Sequence, residues 1–108
     1  MTDFLNTAPG DAAVGGIRPA VLGQIRGLAK RYGLRRVVLF GSRARGTYRP
    51  RSDIDLAVSG GNADLFRLAV EEETDTLLRF DVVDLDLGIG DALREAVRKE
   101  GKVLYEEV

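Results

Sequence analysis

Cysteine and histidine are both absent from this chain of 108 residues. Disulfides and thiolate or imidazole metal sites are therefore excluded, and any metal must be held by carboxylates and other oxygen ligands, the donor set of Mg²⁺ or Mn²⁺. Aromatic residues make up only 6 %, and the formal net charge of -1 leaves no overall basic excess. Both argue against direct binding of nucleic acid by base stacking or phosphate tracking. No stretch approaches the roughly 20 apolar residues needed to span a bilayer. The opening MTDFLNTAPG lacks the basic start and apolar run of a signal peptide. A cytoplasmic protein that does not contact membrane is expected.

What is present suits one small domain. Hydrophobic residues are 44 % and charged residues 31 % of the chain, the balance of a globular protein. A domain this short buries about 60–65 % of its unfolded surface, which leaves little chain for elaborate substrate walls. An acceptor site shared with a partner or with a second copy of the chain is expected. The near-zero net charge hides a division: residues 12–52 carry ten Arg/Lys and no acid, and residues 53–108 carry fifteen Asp/Glu against six Arg/Lys. One half suits anions and the other cations.

Residues 1–16 are rich in Gly, Ala, Pro and Asp with little periodicity and are expected to form a flexible tail, with a single domain over 17–108. Val21, Leu22, Ile25, Leu28, Ala29 and Tyr32 recur at helical spacing from Pro19, and Gly33 can end that helix. Residues 34–40 read as a strand whose apolar run Val37-Val38-Leu39-Phe40 is covered on both faces. A polar Gly- and Arg-rich connection over 41–51 leads to a second strand at 54–58. Asn62 is the expected N-cap of a helix reaching about Leu78, with Leu65, Leu68, Ala69 and Leu77 toward the core. A third strand is expected over 80–87, a helix over 92–99 stopped by Gly101, and a short last strand over 103–105.

The chemistry is concentrated between Phe40 and Leu56. A strand ending in Gly41-Ser42 presents backbone N–H groups and a hydroxyl to a phosphate, since glycine permits close approach. Arg43 and Arg45 follow, and their planar guanidinium groups suit phosphate oxygens. Asp53 and Asp55 are two apart on an extended chain, so both leave one face with Cα atoms about 6.5 Å apart. Two like charges so placed are unfavourable without a cation between them. The alternating Ile54, Leu56 and Val58 make the opposite face the buried one. A third carboxylate is expected from the third strand. The strand–helix–strand crossover favours a parallel pair, and Asp81 opens its strand as Asp53 and Asp55 open theirs. Asp81 is the choice and Asp84, on the other face, the alternative. Three such carboxylates suit two divalent ions about 3.5–4 Å apart.

Gly41-Ser42, ten intervening residues, then Asp53-Ile54-Asp55 resembles the signature of the DNA polymerase β-like nucleotidyltransferase superfamily. The resemblance is greatest to its minimal members, the antitoxins paired with HEPN ribonuclease toxins. It extends over roughly residues 34–105, with Phe80-Asp81-Val82-Val83-Asp84-Leu85 at the third-aspartate strand. It implies an α+β, palm-like fold: a mixed sheet of three or four strands flanked by helices. It also implies that Gly41 and Ser42 hold the triphosphate, that Asp53 and Asp55 bind two Mg²⁺ ions, and that Asp81 binds the catalytic one and helps activate the acceptor hydroxyl. In the antitoxin members ATP is the donor and a tyrosine of the HEPN toxin accepts AMP. Two other readings are a small-molecule nucleotidyltransferase of the aminoglycoside-modifying type, for which the chain lacks the added helical domain, and a module that neutralises a toxin by contact alone.

Overall fold

The computed structural model describes residues 13–107. Helix α1 (Pro19–Arg31) starts with proline at its first turn and ends in Lys30 and Arg31, which complement the negative end of the helix dipole. It buries Val21, Leu22, Ile25, Leu28 and Ala29, the expected stripe. Gly33, at φ +70°, then turns the chain out of the helix and into strand β1 (Arg36–Phe40). A four-residue helix α2 (Ser42–Arg45) and strand β2 (Ile54–Ser59) follow. Next come α3 (Ala63–Glu73), β3 (Phe80–Asp84), α4 (Asp91–Glu100) and β4 (Lys102–Glu106).

The four strands form one mixed sheet in the order β3-β2-β1-β4. β1 is antiparallel to both β2 and β4, whereas β2 and β3 are parallel, as a crossover through α3 requires. One face carries Val37, Leu39, Ile54, Leu56, Val58, Val82 and Leu104 against α1 and α3. The other carries Val38, Phe40 and Ala57 against Val97 of α4. The expected mixed, helix-flanked α+β sheet is the observed one.

Three boundaries differ from the expectation by two residues or more, and one helix face differs. α3 stops at Glu73 rather than near Leu78, because its last turn is Glu71-Glu72-Glu73 with no basic residue, the wrong charge for a helix C-terminus. Its buried residues are Ala63, Phe66, Ala69 and Val70, while Leu65, Leu68 and Leu77 are exposed. Two stripes at helical spacing compete here, and the one containing the large aromatic Phe66 goes inward. The Asn62 cap holds, its side-chain oxygen accepting from Leu65 N–H at 3.0 Å. β3 ends at Asp84 because the Asp84 carboxylate accepts from Asp86 N–H and turns the chain. β1 begins at Arg36 rather than Leu34.

Of the tail expected over 1–16, residues 1–12 lie outside the described residues. Val14 and Ile17 pair across a turn of Gly15 and Gly16, both at positive φ, and Ile17 is buried in the core.

Candidate functional site

Asp55 and Asp81 are register partners on the parallel pair β2 and β3, so their side chains rise side by side from one face. It is the face of Val38, Phe40 and Ala57, since Leu56 and Val82 on either side of them belong to the opposite core. Asp53 precedes β2 by one residue and sits two before Asp55, so an extended backbone gives it the same face. Ile54 N–H donates to Arg79 C=O at 2.8 Å and fixes the two strand starts level. Asp84 pairs with Val58 and so lies on the opposite face. There its carboxylate serves the Asp86 turn.

Gly41 closes this patch from the β1 side, because Phe40 is the register partner of Asp55. Gly41 has φ +76°, and a Cβ there would stand 2.2 Å from Asp55 Oδ2. Only glycine lets the carboxylate lie directly over the loop. Burial first, then the negative charges of Asp81 and Asp53, push the Asp55 carboxyl above its ordinary range, with Arg45 and Arg43 partly opposing them. A cation bound among these carboxylates would relieve that repulsion. Among the described residues no three acidic groups are drawn close enough to form a ready metal cage. The donor set, oxygen only, fits Mg²⁺.

The arginines of the loop divide their work differently from the expectation. Arg43, expected at phosphate, is turned inward and is 2 % exposed. Its Nε donates to Ser52 C=O at 3.0 Å, Nη1 to Gly15 C=O at 2.9 Å and Nη2 to Pro50 C=O at 3.1 Å, and the group lies 4.8 Å from the centre of the Tyr48 ring. A guanidinium meets three inward-facing carbonyls that no other cation could serve together. Arg43 thereby ties the loop to the residue before Asp53. Arg45 remains half-exposed, with Nη1 donating to both oxygens of Glu100 at 3.0 and 3.2 Å. Glu100 Oε1 also accepts from Gly41 N–H at 2.9 Å. Ser42, half-buried, closes α2 through its carbonyl, which accepts from Gly46 and Thr47 N–H.

Sequence reasoning missed Glu100 and the Arg43 carbonyl cluster. Glu100 arrives from 59 residues away, brought by the pairing of Leu39 with Lys102, and no local pattern announces it. The Arg43→Lys variant is expected to lose about 2–3 kcal/mol of stability, because an ammonium reaches one of the three carbonyls and leaves buried acceptors unpaired. Urea denaturation would measure it. A loss below about 0.5 kcal/mol would show that the cluster contributes little.

A mixed sheet with paired aspartates beside a Gly-Ser turn defines a nucleotidyltransferase-type domain. The family described as "Polymerase beta, Nucleotidyltransferase" matches residues 24–108, and the chain belongs to that family. Solved structures agree. A toxin–antitoxin structure with AMP-PNP is 29 % identical, covering 80 % of this chain and 73 % of that one with a TM-score of 0.60. A substituted form of the toxin–antitoxin pair MntA-HpeT is 25 % identical, with coverage of 80 % and 73 % and a TM-score of 0.63. A chain provisionally described as a minimal nucleotidyltransferase is 33 % identical, with coverage of 75 % and 86 % and a TM-score of 0.60. No curated protein matches at an equivalent level of significance. Among the described residues no helix is long and apolar enough to cross a membrane.

Proposed function

We propose that this domain is a protein adenylyltransferase that moves AMP from ATP to a tyrosine hydroxyl of a partner HEPN toxin in the cytoplasm, acting as the antitoxin. The observation that carries the reading is the pairing of Asp55 with Asp81 over the Gly41 turn, on a face left open to solvent at that end of the sheet. The similarity to toxin–antitoxin structures, one of them with AMP-PNP, supports both the nucleotide and the kind of partner.

In this reading Asp53, Asp55 and Asp81 hold two Mg²⁺ ions, and Gly41, Ser42 and Arg45 receive the triphosphate. The bound ions would supply Lewis acidity at the phosphates and lower the pKa of the acceptor hydroxyl. Arg43 holds the loop so that Asp53 and the Gly41 turn keep their relative positions. The acceptor oxygen forms a bond to the α-phosphorus while the bond to the bridging oxygen breaks. Pyrophosphate leaves, and Asp81 takes the hydroxyl proton. The acceptor is a separate molecule or a second copy, since the carboxylates lie on an open surface. A neighbouring recess of about 440 Å³, lined by Arg51, Leu77, Leu78 and Arg79, borders the starts of both strands.

The test is label transfer with Mg²⁺ and the protein encoded by the adjacent reading frame. Label from the α-phosphate should appear on that protein, and label from the γ-phosphate should not. Transfer of γ-label, or α-label only on small molecules, would sink the reading. Arg45→Ala is expected to weaken ATP binding about 5- to 30-fold and to flatten its dependence on salt, since a charge-assisted contact at a half-exposed loop is lost. A calorimetric titration at two salt concentrations measures both, and unchanged affinity would make Arg45 an ordinary surface residue.

A further inference from the structure

Glu100 ends α4, and its side chain, 21 % exposed, is folded onto the two groups of the loop best suited to bind a phosphate oxygen. Oε1 accepts from Gly41 N–H at 2.9 Å and from Arg45 Nη1 at 3.0 Å. One carboxylate oxygen thus takes a backbone amide and a guanidinium together, as a phosphate oxygen would. The backbone beneath it is pinned. Gly101 N–H donates to Val97 C=O, and a Cβ on Gly101 would stand 2.5 Å from Val38 Cγ1. Displacing the glutamate side chain would therefore require only rotation about its own bonds, with helix and strand staying in place.

We propose that Glu100 is an internal anion that occupies the phosphate-binding groups until nucleotide displaces it, so that it sets both the affinity and the preference for a polyphosphate tail. This rests on the assignment of Gly41 and Arg45 to the triphosphate. A carboxylate carries a single charge, and a ligand must bring more negative charge to those donors to replace it with profit. A triphosphate does so, and a monophosphate gains little. Glu100 thereby disfavours AMP and other weakly charged occupants more than ATP.

The experiment compares wild type with E100Q and E100A, all three first shown to fold by their melting curves. E100Q keeps an oxygen for Gly41 N–H and removes the charge. Calorimetric titrations use ATP, AMP and inorganic tripolyphosphate at one ionic strength. Expected are an ATP affinity about two- to fivefold higher in E100Q, of the size an ion pair at a partly exposed site contributes, a larger relative gain for AMP, and loss of both gains when Arg45→Ala is added. Weaker ATP binding in E100Q and E100A overturns the proposal and makes Glu100 a support that holds Arg45 in place. Failure of every form, wild type included, to bind ATP or tripolyphosphate would remove the phosphate site itself. Binding by wild type with no change in the variants removes only the role of Glu100.

Discussion

Asp55→Asn is expected to reduce transfer by a factor on the order of 10²–10³ or more and, in metal-free buffer, to make the protein more stable. The loss follows from removing a carboxylate placed between Asp81, its register partner, and Asp53. The gain follows from the raised pKa of Asp55, whose causes are burial and then its two acidic neighbours. Folding favours the protonated form, so the stability tied to this group is present below the ordinary carboxylate range and is lost as pH rises through the raised value. Above that value the ionised group therefore opposes folding, and the amide does not. A rise in Tm of about 1–4 °C is expected without metal. Mg²⁺ should raise the Tm of the wild type and leave that of the variant almost unmoved. Scanning melts over pH with and without Mg²⁺, beside single-turnover transfer, would check both. A variant that retains near-normal transfer removes Asp55 from the metal site, and Asp53→Ala should behave alike in transfer.

The second large effect separates two aspartates three residues apart. Asp81→Asn should stop transfer by a similar factor while sparing most of the nucleotide affinity, because in the proposed reading Asp53 and Asp55 would still hold the metal that carries the triphosphate. Asp84→Asn should leave chemistry near wild type and alter stability, since the Asp84 carboxylate accepts from Asp86 N–H in the turn after β3 and sits opposite Val58 on the other face of the sheet. An amide in that turn still offers an oxygen, so the expected loss is modest, about 0.5–1 kcal/mol. Transfer kinetics and a binding titration on the two variants decide the matter. Wild-type rates in Asp81→Asn together with an inactive Asp84→Asn would assign the chemistry to the wrong face.

The sheet and its acidic face were legible because their signals are local. Alternation of Ile54, Leu56 and Val58 fixed which way Asp55 points, and the crossover rule fixed the direction of β3, so that Asp81 could be chosen from strand geometry. Helix α3 shows where local pattern fails. Its leucines satisfied the helical period as well as Phe66 does, and which stripe goes inward depends on what the sheet offers across the interface. Arg43 fails for the same reason. Its sequence position between Ser42 and Ala44 suggests a phosphate ligand, but its partners are carbonyls of Gly15, Pro50 and Ser52 that meet only once the chain is folded. Glu100 was invisible because its contact depends on the β1–β4 register, a long-range property.

β4 also bears on how the domain is born. β1 meets β2 through the connection that carries α2, and β3 joins through the crossover, so three strands and three helices can assemble while the ribosome is still making the rest. The partner of β1 on its other edge is synthesised more than half the chain later, and its register shifts between Val37 and Val38. Until β4 arrives, a nascent chain displays the open edge of its most buried strand, the kind of edge that recruits stray strands. The closing strand also brings in Glu100, so shielding of the sheet and delivery of that residue to Gly41 are one late event. A chain stalled before it would be at once unfinished at its site and prone to self-association.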